Sequence, residues 1–255
     1  MKQFALIGLG KFGRRLLEEL LKSDVEILIL DKNPELIEQY KNQVSDAYVA
    51  DALNEETIRQ TVPADIDVVI LDFVDNIDVS ILVTHYLRKI GVNEIVAVAG
   101  TDQHGEILSA VGATRVVFPN KEAALRIAPA LVSSALFGYF PIAEDIAVAE
   151  IRSPDRFVGM TLVESDIRNE LGITVIAVRS ATTDKFEFVS AVYTLSAEDS
   201  LLIVAPEAAI SKLSHVRLGG ASGDVETLMP GAGRRSVAEP DSKKKSRRSF
   251  FRFGL

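Results

Sequence analysis

Phe4-Ala5-Leu6-Ile7-Gly8-Leu9-Gly10-Lys11-Phe12-Gly13 decides the reading of this chain. A short apolar strand runs into G-x-G-x-x-G, and a helix follows over Arg14 to Lys22. That order is what a nucleotide-binding strand–turn–helix requires. Gly8 permits the tight turn, Gly10 lets the backbone approach a phosphate, and Gly13 lets the helix pack closely on its strand. The phosphate then lies at a helix N-terminus, where N–H groups are unpaired and the helix dipole favours negative charge. On this reading Gly10→Asp abolishes nucleotide binding in a protein that stays folded.

Outward from the loop, a second apolar strand, Val25 to Leu30, closes on Asp31, 18 residues after Gly13. An acidic side chain there accepts hydrogen bonds from ribose hydroxyls and disfavours a 2′-phosphate. The other reading of Asp31 is a plain helix cap. Further strands are expected at Ala47–Ala50, Asp67–Leu71, Glu94–Ala99 and Arg115–Phe118. Helices alternate with them, one capped by Asn33 ahead of Pro34 and one by Asn54. Others run over Asn76–Ile90, stopped by Gly91, and Asp102–Val111, stopped by Gly112. Six strands alternating with helices predict an α/β fold with a doubly wound, Rossmann-like parallel sheet.

The pattern changes after Pro119. A long helix is expected over Lys121–Leu136, kinked at Pro129, and Gly138-Tyr139-Phe140-Pro141 reads as a linker-like break. Residues 143–213 read as a small α+β domain, with strands at Ile146–Ile151, Thr174–Val178, Glu187–Val189 and Leu201–Ala205. Helices are expected near Glu164–Glu170 and Glu207–Leu213.

Charge divides the chain. The 255 residues carry a net charge of −8, yet residues 219–255 hold eight basic and four acidic side chains. An acidic body is a poor polyanion binder, so nucleic acid is not an expected partner. The stretch 219–242 is rich in Gly, Ser and Ala and is expected to be disordered. Lys243–Leu255 interleaves six basic residues with Phe250, Phe251 and Phe253. It reads as a membrane-surface segment for acidic lipid, as a dock for a protein partner, or as a solubilising tail. There are no cysteines, which excludes disulfides and thiolate metal sites.

Several residues beside the loop carry two readings. Asp51-Ala52, at a strand end, faces the base or forms a turn. Asn76 caps a helix in the ordinary way or faces the phosphates. Lys11 reaches a phosphate as a point charge or is a solvated lysine, and Lys32 adjoins Asp31. The histidines His85, His104 and His215 form no metal or catalytic motif with each other, and no G-x-S-x-G elbow occurs.

With the loop, Asp31, Asp51-Ala52 and a second small β-rich domain in order, the chain resembles the cytosolic regulatory subunits of Trk/Ktr potassium uptake systems. The resemblance is carried also by Asp75-Asn76-Ile77 and by Gly112 to Pro119. In the second domain it is carried by Val158 to Leu162, Leu171 to Arg179 and Glu198 to Val204. It implies an N-terminal RCK (TrkA-N) domain over 1–137, an RCK (TrkA-C) domain over 142–217 and a basic tail over 219–255. Such subunits are not enzymes. They form homodimers that assemble into an octameric ring on the inner, cytoplasmic face of the membrane. There the ring gates a potassium-translocating subunit of the TrkH/KtrB type.

Carried over to this sequence, Gly8, Gly10, Lys11, Phe12 and Gly13 hold phosphates, Asp31 holds the ribose, Asp51 and Ala52 face the adenine, and Leu9, Lys32 and Asn76 complete the binding residues. The implied ligands are ADP, ATP or NAD(H), with cyclic di-AMP in the second domain at Arg179. Three positions depart from the pattern. Lys11 stands where arginine is frequent, Val98 is apolar, and Asn120 follows Pro119 in place of an acid. They tilt the loop toward NAD(H) or ADP, and no metal site is expected. The competing readings are a small NAD-dependent oxidoreductase and a scaffold with a vestigial site.

Overall fold

The computed structural model describes residues 1–143, 145–180, 183 and 185–214. His215 and the tail lie outside the described residues. The first half runs β1 (Lys2–Ile7), α1 (Lys11–Leu20), β2 (Val25–Asp31), α2 (Pro34–Tyr40), β3 (Asp46–Val49), α3 (Glu55–Thr61) and β4 (Val68–Leu71). It continues with α4 (Ile77–Ile90), β5 (Ile95–Val98), α5 (Asp102–Val111) and β6 (Arg115–Val117). The strands form one parallel sheet in the order β3-β2-β1-β4-β5-β6. The doubly wound sheet is therefore as the alternation of elements predicted.

Both faces are covered, so the central strands β4 and β5 are wholly apolar and buried, as is the second half of β1. Period-two alternation divides their side chains between two cores. Ala5, Ile7, Leu28, Leu30, Val69 and Leu71 face one way, with Val83, Leu87 and Leu108 from the helices. Leu6, Ile27, Ile29, Val68 and Ile70 face the other, with Leu17, Ile37 and Tyr40. Strand order reverses between β1 and β4, and the carboxyl ends of those two strands open the crevice where ligands bind in such sheets.

Two expectations fail at the domain junction. The helix α6 runs over Pro119–Val132, beginning on the proline and ending four residues before Leu136. Proline is suited to a first helical turn, where its missing N–H costs nothing. The stretch read as a linker-like break is a strand, β7 (Leu136–Ala143). It pairs with β8 (Ile146–Arg152), with register shifts near Gly138 and Pro141. As an edge strand it tolerates the proline.

The second sheet adds β9 (Thr174–Arg179), β10 (Phe186–Phe188) and β11 (Ser200–Pro206), antiparallel in the order β10-β9-β11-β8-β7. Its core holds Leu136, Ile151, Ile173, Leu201, Ile203 and Ile210. The helix expected near 164–170 is two short pieces, α7 (Leu162–Ser165) and α8 (Ile167–Leu171). Asp166, at φ 42°, breaks it. The helix α9 (Glu207–Ser214) closes the described chain, and the Ser133 hydroxyl donates to the Ser214 carbonyl at 3.0 Å.

Candidate functional site: a crevice at the β1/β4 switch point

The turn after β1 is held from below. Gly8, at φ +76°, donates its N–H to the Leu30 carbonyl at 2.9 Å. The next N–H, of Leu9, goes to Asp31 Oδ2 at 2.6 Å, while Asp31 Oδ1 accepts the Asn33 N–H at 2.7 Å. Asp31 thus ties the glycine loop to the end of β2 and starts the turn into α2. The capping reading of Asp31 is realised in part, and the same carboxylate lines the cavity.

Gly10 caps α1 with extended backbone and no side-chain bond, and α1 carries no acid in its first turn. The negative charge that suits this helix end comes from elsewhere. Asp72, the first residue after β4, is buried beneath the loop. Its Oδ2 accepts the Gly13 N–H at 2.7 Å, and the N–H groups of Phe12 and Val74 also point to it. Burial pushes the Asp72 carboxyl above its ordinary value, against the opposing pull of those three N–H groups.

Asp72 is the residue that sequence reasoning missed. It also revises the meaning of the glycines. A Cβ on Gly10 would stand 2.2 Å from Asp72 Oδ2, and one on Gly8 would stand 2.7 Å from the Phe73 ring. Gly10 is glycine because a buried carboxylate lies against it. The available signal was topological: the residues that end β1 and β4 must flank one another once the strand order is known.

A cavity of about 390 Å³ opens above this framework. It gathers Gly8, Leu9, Gly10, Lys11, Phe12, Asp31, Lys32, Asp51, Ala52 and Asn76. Gly13 is buried under the loop and Arg179 belongs to the other sheet, so neither lines it. Lys11 and Lys32 are exposed at the rim. Asp51 forms the turn that one of its two readings expected, accepting the Leu53 N–H at 3.0 Å. Asn76 sits at the N-cap of α4 but makes no side-chain capping bond. Its ordinary capping role is thus not realised, and its side chain lines the cavity. The far end is formed by Val79, Val98, Ala99, Pro119 and Asn120.

Ser80 Oγ lies 2.7 Å from His104 Nε2, yet both residues are buried and neither lines the cavity. The Ser80 hydroxyl donates to the Ile77 carbonyl at 2.7 Å, so it accepts from His104 Nε2–H. This pair joins α4 to α5. Burial lowers the His104 imidazole below its ordinary value. In the second sheet, Arg179 reaches across to Glu150, stacks near Phe186 and donates to Ser200 Oγ at 3.3 Å. Ser200 in turn donates to Glu150 Oε1 at 2.6 Å.

Comparison with known proteins agrees with this architecture. The TrkA-N domain family matches residues 4–119, and the TrkA-C domain family matches residues 146–216. The Ktr system potassium uptake protein C of Bacillus subtilis is 32% identical over 213 residues, which cover 83% of this chain and 95% of that protein. This chain belongs to the TrkA-N/TrkA-C family of Ktr potassium uptake proteins.

A second family member, the Ktr system potassium uptake protein A of Vibrio alginolyticus, is 28% identical over 81% of this chain and 93% of its own. Among solved structures, the GsuK RCK domain superposes with a TM-score of 0.60 at 17% identity, over 87% of this chain and 48% of that one. The GsuK channel bound to NAD gives 0.59 at 19% identity, over 88% of this chain and 40% of the channel chain. The chain therefore spans about half or less of the solved GsuK chains, with which it shares a fold.

Proposed function

We propose that this Ktr-family chain is a nucleotide-sensing regulator of a membrane potassium-translocating protein and not itself an enzyme. The observation that carries the reading is the crevice at the switch point. Glycine loop, Asp31 and the stretch Val79, Val98, Ala99, Pro119 share one cavity, while the buried Ser80–His104 pair stands apart from it. ADP or NAD(H) lies with its phosphates over Gly8–Phe12, its ribose near Asp31 and Lys32, and its adenine toward Asp51 and Ala52. Regulation is linkage: a nucleotide that binds one conformation of the assembly more tightly shifts the equilibrium by its differential affinity and no more.

The partner reading rests on the Ktr relatives, with 95% and 93% of their lengths covered. The homodimer, the octameric ring and the placement on the cytoplasmic face of the membrane extend the same reading. No helix of the described residues is long and apolar enough to cross a membrane. Isothermal titration of the purified chain with NADH, ADP, ATP and cyclic di-AMP tests the ligand. Micromolar binding of ADP or NADH, lost in Asp31→Ala, supports it. The absence of any binding favours the scaffold reading, and steady turnover of NADH with a carbonyl substrate favours the oxidoreductase.

A further inference from the structure

We infer that Asp72 sets the ligand class of the glycine loop, selecting the diphosphate bridge of a dinucleotide over the terminal phosphates of a nucleoside triphosphate. The inference rests on the nucleotide reading above and concerns which nucleotide the crevice prefers.

A helix N-terminus attracts phosphate because its first N–H groups have no partner within the helix. In this chain two of those donors already face a carboxylate. The Gly13 N–H donates to Asp72 Oδ2 at 2.7 Å, and the Phe12 N–H points to the same carboxylate. The protein has supplied its own anion to the end of α1. That anion lies directly under the loop, 2.2 Å from where a Gly10 Cβ would stand. A phosphate resting on the outer side of Gly10 is separated from the carboxylate by the thickness of the backbone alone. Screening by solvent is weak along that line, because Asp72 is buried.

The rest of the lining does not offset this charge. Four carboxylates, Asp31, Asp51, Asp72 and Asp75, face two lysines, Lys11 and Lys32. Beyond the loop the cavity continues between Val79, Val98, Ala99 and Pro119 to Asn120, with no cationic side chain among the described residues of that stretch. A third phosphate directed there meets no counter-charge. A second nucleoside directed there meets apolar contact surface and the Asn120 amide. The buried carboxylate and the uncharged far end are separate features of the fold, and both disfavour added phosphate charge.

The test is isothermal titration of the full-length chain with NADH, ADP and ATP in EDTA, so that each nucleotide carries its full charge. Wild type should bind NADH about tenfold or more tightly than ATP. Asp72→Asn preserves the shape of the side chain and an acceptor for the Gly13 N–H. It should strengthen ATP binding about tenfold while changing NADH binding less than about threefold. Asp72→Ser, smaller and also neutral, gives the same comparison if circular dichroism shows the asparagine variant unfolded. An ATP-to-NADH ratio unchanged in a folded variant overturns the inference. Wild-type protein that binds no nucleotide overturns the underlying nucleotide reading, and the inference with it.

Discussion

Gly10 and Asp72 touch across the switch point, with Asp72 Oδ2 only 2.2 Å from the position a Gly10 Cβ would take. Gly10→Asp is therefore not the clean binding knockout that the motif suggests. Even Gly10→Ala should cost about 2–4 kcal/mol of unfolding free energy, because a buried carboxylate must move or lose its N–H partners. Asp72→Ala in the same chain should recover part of that loss. Urea melts of the single and double variants measure the coupling, and strict additivity would contradict the contact.

Asp31 holds two backbone N–H groups, those of Leu9 and Asn33. Asp31→Ala leaves both without their acceptor and should destabilise the chain by about 1–3 kcal/mol. It should also weaken ADP and NADH binding at least tenfold, by loosening the loop and removing the ribose acceptor. A folded variant with unchanged affinity would remove Asp31 from the ligand.

His104 gives the fold a defined acid sensitivity. Its imidazole is buried, is bonded to Ser80, and is lowered below the ordinary histidine value. A group with a depressed folded value stabilises the native state above its unfolded value, near pH 6.5. That contribution is lost as the pH falls toward the folded value. Unfolding free energy should drop between pH 6.5 and 5 with a slope of at most about 1.4 kcal/mol per unit from this group. Denaturant melts of His104→Gln should show a flatter profile over that range, and an identical profile would exclude the imidazole as the source.

Glu150 organises the second sheet by accepting from both Arg179 and Ser200. The side chains of Glu150 and Arg179 are 16% and 34% exposed, so solvent weakens the charge term while the buried Ser200 hydroxyl still needs its acceptor. Glu150→Ala should cost about 1–2 kcal/mol by thermal or urea unfolding, and Glu150→Gln distinctly less. Equal losses in the two variants would assign the role to charge.

The first domain was legible because its signals are local. Apolar strands, Asn33 and Asn54 as caps, and Gly91 and Gly112 as stops fixed the element order, and α5 spans the expected residues. β7 was not legible, since Gly138 and Pro141 look like a break unless the strand is known to lie on an edge beside β8. The division of 164–170 at Asp166 depends on one left-handed residue and leaves no mark in the periodicity. Asp72 is the instructive case. Nothing near it in sequence marks it out, and its role exists only because parallel pairing places β4 against β1, beneath Gly10 and Gly13.

On the proposed function, nucleotide occupancy of this crevice controls potassium movement through a membrane partner. Potassium flux into proteoliposomes holding that partner tests it most directly, with the full chain added and NADH, ADP or no nucleotide present. The chain should change the flux, at least one of these nucleotides should shift it further, and Asp31→Ala should abolish the nucleotide-dependent part. Flux identical with and without nucleotide, in a preparation where the chain is bound to its partner, would contradict it.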